Sequence, residues 1–109
     1  MKEADLLALV LSLPEATQSA HFGTTDFRVR NKIFASRPRP ESLVLKLTPE
    51  QQEMLVGTEP KVFAPLANKW GEKGWTSASI AALDKATARS ALNMAWSNVA
   101  PKSLRGTAR

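Results

Sequence analysis

A chain of 109 residues, 43% hydrophobic and 23% charged, has the size and make-up of one globular domain with one core, which excludes disorder throughout. It has no cysteine and one histidine, His21, so disulfides, thiolate metal sites and a cysteine nucleophile are excluded. The net charge of +5 invites a nucleic-acid reading. Residues 1–57 carry seven basic and seven acidic side chains, however, against eight and three in 58–109, so any basic surface has to be argued locally.

Leu6, Leu9, Val10 and Leu13 recur at helical spacing behind Lys2, Glu3 and Asp5, which predicts an amphipathic helix over 2–13 that Pro14 ends. Glu15 to Thr25 is polar and carries Gly23. It reads as an irregular segment with a short extended piece at Thr17 to Ala20. Asp26 to Arg30 and Lys32 to Arg37 alternate as two strands of a hairpin, and an Asn31-Lys32 turn would set Arg28 opposite Ala35 and Asp26 opposite Arg37. Phe27, Val29 and Phe34 then point inward. Ser42 to Leu47 follows as a third strand with Leu43, Leu45 and Leu47 on one side and Val44 and Lys46 on the other.

Thr48-Pro49-Glu50-Gln51 is a helix start: Thr48 caps, Pro49 takes the first position and Gln51 can reach back as in a capping box. That helix runs to about Val56. Val62 to Ala67 and Trp75 to Ala81 read as two further strands around a Gly71/Gly74 turn, with Pro65 placing the first at an edge. Asp84 caps a last helix striped with Ala88, Ala91, Leu92, Ala95, Trp96 and Val99, which Pro101 closes. One domain over 1–101 and a basic tail over 102–109 follow. The expected fold is α+β, a two-layer sandwich of one antiparallel sheet with helices on one face, in the order helix, three strands, helix, two strands, helix.

Histidine is the residue type suited to acid–base chemistry near neutral pH, but His21 has no evident nucleophile or orienting carboxylate beside it, so it reads as structural and the chain as no enzyme. No metal or cofactor is implied. Gly71-Glu72-Lys73-Gly74 lacks the setting of a phosphate-binding loop. Trp75 reads as core, and Trp70, between Lys69 and Lys73, as a stacking or partner-contact residue. Residues 28–46 hold six basic side chains against the single acid Glu41, and alternation sends Arg28, Arg30, Arg37 and Lys46 to the helix-free side. With Lys69 and Lys73 nearby, these could neutralise phosphates; the same charges could equally keep an open sheet face soluble. Ile33, Val44 and Trp70 on that face would instead anchor a protein partner or a second copy. No apolar run approaches the roughly 18 residues needed to cross a bilayer, and no secretory signal opens the chain. A cytoplasmic protein is expected.

Leu13-Pro14-Glu15, Gly23, Phe27-Arg28-Val29, Lys32-Ile33-Phe34-Ala35 and Leu43-Val44-Leu45-Lys46 before Thr48-Pro49-Glu50 resemble the MmcQ/YjbR-like family. So do Gly74-Trp75-Thr76, Leu83-Asp84, Ala95-Trp96 and Val99-Ala100-Pro101-Lys102, so that the resemblance spans about residues 6–104. It implies a bacterial cytoplasmic domain of CyaY-like or secretion-chaperone-like fold. It also implies the family's DNA-binding label, an analogy of fold. Relatives carry an Asn-Lys-Arg-His-Trp segment where this chain has Asn68-Lys69-Trp70, so no role for that histidine carries over.

Overall fold

The computed structural model of the chain describes residues 1–105. In chain order the elements are α1 (Glu3–Leu11), β1 (Ala16–His21), β2 (Thr24–Val29), β3 (Lys32–Arg37), β4 (Ser42–Lys46), α2 (Pro49–Thr58), β5 (Phe63–Pro65), α3 (Lys69–Glu72), β6 (Trp75–Ser79), α4 (Lys85–Val99) and α5 (Lys102–Arg105). The strands form one antiparallel sheet ordered β1-β2-β3-β4-β6-β5. Helices cover one face. The α+β two-layer arrangement is the one that the sequence predicts, with additions.

The core lies between sheet and helices. Leu43 and Leu45 of β4, Phe27 and Val29 of β2 and Phe34 of β3 are fully buried and meet Leu92, Ala95 and Trp96 of α4 and Leu6 and Val10 of α1. Trp96 also donates its indole N–H to the Pro14 carbonyl at 3.0 Å, which ties the end of α1 to α4. The predicted capping box of α2 forms: Thr48 Oγ1 accepts from the Gln51 amide and Gln51 Oε1 from the Thr48 amide. Asp84 caps α4 by accepting from the Thr87 amide at 2.7 Å.

Four elements differ from the sequence expectation. The segment read as irregular is a full strand, β1, joined to β2 by a Phe22-Gly23 turn with both residues at positive φ. The β2–β3 turn is Arg30-Asn31, again both left-handed, one residue earlier than expected. The Gly71/Gly74 turn holds the short helix α3, which Asn68 caps. Lys102–Arg105 is helical and packs Leu104 on the core, so the expected tail is folded there; residues 106–109 lie outside the described ones.

The largest difference is a bulge. Phe27 pairs with Ala35 and Arg28 with Ile33, so Phe34 is an extra residue in β3. Side-chain alternation reverses beyond it. Ala35 turns into the core opposite Leu45, Ser36 turns to the open face opposite Val44, and Arg37 turns toward the helices.

Gly74 sits at φ +111°, and a Cβ there would lie 2.0 Å from the Leu47 carbonyl oxygen. Gly74→Ala should therefore cost more than about 1 kcal/mol, because both the dihedral and the close backbone approach exclude a side chain. Thr48→Ala should cost about 1 kcal/mol by loss of the cap. Urea unfolding with unchanged m-values checks both.

Candidate functional site

The sheet face away from the helices is lined by alternate residues of each strand. The register places Thr24, Asp26 and Arg28 of β2, Ile33 and Ser36 of β3, Val44 and Lys46 of β4 and Trp75 and Ser77 of β6 on this side. It is concave. A groove of about 810 Å³ runs over Asp26, Ile33, Ser36, Val44 and Trp75, with His21 and Phe22 at one wall and Leu66 and Trp70 at the other.

Both walls are aromatic. Phe22 at the tip of the β1–β2 hairpin is 95% exposed, has φ 50° and stands 4.3 Å from the His21 ring. A bulky side chain in the left-handed region is an outlier, and strain of this kind is found at binding sites. Trp70, on α3, is 56% exposed and meets Trp75 edge-on at 6.0 Å between centroids. Lys73 Nζ lies 5.3 Å from the Trp70 ring centre and Lys46 Nζ 5.9 Å from that of Trp75, both within cation–π range. Trp75, expected in the core, is a half-buried floor of the groove.

The wall that carries Trp70 is fixed from behind. Gln52 of α2 directs its amide Nε2 toward the Gly71 and Trp75 carbonyls at 2.9 and 3.0 Å and toward Thr76 Oγ1 at 3.2 Å. Gly71 approaches Leu66 so closely that a Cβ would lie 1.9 Å from its carbonyl oxygen.

The six basic residues singled out in the sequence do not share one face. Arg37 is the clear correction: the bulge at Phe34 turns it to the helix side, where its side chain is 7% exposed. There it donates to the Ser42 and Pro40 carbonyls and to Glu3. Arg30 sits in the turn and makes a two-pronged pair with Glu15 at 2.5 and 2.9 Å. Arg28 does face the groove side, but both of its contacts there go to the buried Asp26. Lys46, Lys69 and Lys73 have no ion pair among the described residues, and Lys46 and Lys73 flank the tryptophans.

His21 and Asp26 line one groove, as an acid–base pair would require. Both Asp26 oxygens, however, accept from Arg28, at 2.8 and 3.1 Å, so this carboxylate is held by Arg28 and does not orient His21. Among the described residues no three His, Asp or Glu side chains gather as a metal site would need, and no helix is long and apolar enough to cross a membrane. Sequence reasoning named Ile33, Val44 and Trp70 and missed Phe22. The signal was His21-Phe22-Gly23, a bulky residue before the glycine of a turn.

The Arg30 hydrogen bonds hold the Glu15 carboxyl below its ordinary value of 4.5. Its folded pKa is the lower one, so the unfolded chain takes up the proton first. The stabilisation is therefore complete above about pH 4.5 and is lost as pH falls through the folded value. Glu15→Gln should flatten the acid limb of a thermal-midpoint curve measured from about pH 7 to about pH 3.

Similarity to known proteins fits this architecture. The family model described as YjbR matches residues 11–98. The crystal structure of Deinococcus radiodurans protein DR2400, with a DUF419 domain, is similar at a TM-score of 0.74 with 22% identity, over 95% of this chain and 85% of that one. At that identity the likeness is one of fold. No curated protein matches. With a family match across most of the chain and a fold that agrees with it, the chain belongs to the YjbR family.

Proposed function

We propose that this chain is a non-enzymatic docking module whose open sheet groove receives an extended protein segment with apolar side chains flanked by acidic ones. The observation that carries this reading is the pair of aromatic walls. Phe22 at 95% and Trp70 at 56% exposure stand over a floor of Ile33, Val44 and Trp75. Exposed apolar surface collected in one concavity, with a polar surround, is characteristic of a protein-binding site. Aromatic side chains dominate the energetics of such sites. The acidic flank follows from charge: Lys46 and Lys73, beside the tryptophans, set cations at the edge of the apolar floor.

A second reading is single-stranded nucleic acid, favoured by the lysine-over-tryptophan pairs, which resemble the stacking-plus-cation arrangement of strand-binding surfaces. Duplex binding through a continuous basic face has less support, because Arg30 and Arg37 are engaged with Glu15 and Glu3 away from the groove.

Selection of binders from a random peptide library should return aromatic or aliphatic residues next to Asp or Glu. Trp70→Ala should weaken a selected peptide by about 2 kcal/mol, roughly thirtyfold, and Phe22→Ala by a similar factor with no loss of thermal stability. Peptides bound equally well by both variants would overturn the docking reading. Under the nucleic-acid reading, an oligothymidylate should bind instead. Its log affinity should fall with log salt at a slope near −2 if Lys46, Lys69 and Lys73 each meet a phosphate.

A further inference from the structure

The sheet has two very different edges. β5 is three residues long and ends in Pro65, so it offers little to a further strand. β1 is six residues long and pairs with β2 without a bulge. It holds no proline, lysine, arginine or acid, the devices that ordinarily keep an edge from pairing. Among the described residues, β1 is thus the longer of the sheet's two edge strands.

The hairpin fixes which groups those are. His21 and Thr24 close a two-residue turn and so exchange both of their backbone hydrogen bonds; bonded residues then alternate, which turns Ser19 and Thr17 toward β2. Gln18 and Ala20 present N–H and C=O to the free edge. Ala16 presents its C=O there, its N–H being donated to Leu13.

We propose that β1 is a self-association edge, where two copies of this chain pair antiparallel about a twofold axis at Gln18. The sequence Ala16-Thr17-Gln18-Ser19-Ala20 reads almost the same in both directions. A twofold at its centre sets Ala16 against the second copy's Ala20, Thr17 against its Ser19 and Gln18 against its Gln18. The centre of this near-palindrome coincides with an outward-facing residue. The phase is thus the bonding one: Gln18 pairs with its own copy in both directions, and each Ala20 N–H meets the Ala16 carbonyl opposite. Cross-strand hydroxyl pairs are favourable, and no like charges oppose each other. A slip of one residue in the pairing would set Gln18 against the second copy's Ser19, whose backbone groups are already turned to its own β2, and no ladder could form. The axis stands perpendicular to the sheet, so the two sheets merge into one with both grooves on the same side. The contact is self-complementary, as a closed twofold interface has to be. This inference is independent of what the groove binds.

Sedimentation equilibrium of the full chain over about a hundredfold range of concentration should show a monomer–dimer equilibrium. Amide exchange at Gln18 and Ala20 should slow as the dimer fills. Gln18→Pro removes only an outward donor and should raise the dimer dissociation constant at least about tenfold with the thermal midpoint of the monomer kept. Gln18→Lys, which brings two ammonium groups together at the axis, should do the same with no demand on the backbone. A strict monomer across the range, or a dimer indifferent to Gln18→Lys, overturns the proposal.

Discussion

One extra residue in one strand decides what each side of this sheet can do. Because Phe34 is inserted between the pairs Phe27/Ala35 and Arg28/Ile33, two consecutive side chains of β3 enter the core and the remainder of the strand changes face. The helix side gains Phe34 and Ala35 beneath α4, together with an arginine that braces β3, the β3–β4 loop and α1. The open side receives a serine where strict alternation would have left an arginine. With Ser36 between Asp26 and Val44, the middle of that face is low, and the aromatic walls rise around it.

The same offset explains how the sequence could be read well in some places and not in others. Helix signals are local and chemical: Thr48, Pro49 and Gln51 form the cap that their types and spacing demand, and the Ala88-to-Val99 stripe faces the sheet. The inward leucines of β4 follow from period two alone. The bulge leaves no comparable mark, since Ile33, Phe34, Ala35 and Ser36 suit either register until the partner strands are known. Arg28 and Lys46 lie on strands without a bulge in the relevant stretch, and their faces were legible. Arg37 lies beyond it, and its face was not. β1 showed only as a short extended piece at Thr17 to Ala20, because Ala, Thr, Gln and Ser have no alternation of polarity to mark a full strand.

Charge was misjudged for a related reason. A count of arginines takes no account of carboxylates that are distant in sequence, and Glu3 and Glu15 reach Arg37 and Arg30 only after the chain has turned back on itself. What stays available for an anionic partner is a set of lysines, two of them resting against indole rings. A guanidinium held in a fork by a carboxylate is a structural brace, whereas an ammonium on a flexible stem can leave its ring for another contact at little cost.

The Gln52 amide gives the groove an unequal pair of jaws. On the tryptophan side, a single side chain of α2 engages the backbone of both α3 and β6, so that jaw is set by the body of the domain. On the phenylalanine side, the ring projects from a turn into solvent beside its histidine neighbour. A guest would be measured against an anvil and then met by a finger free to settle around it, which assigns discrimination to Trp70 and Trp75 and accommodation to Phe22.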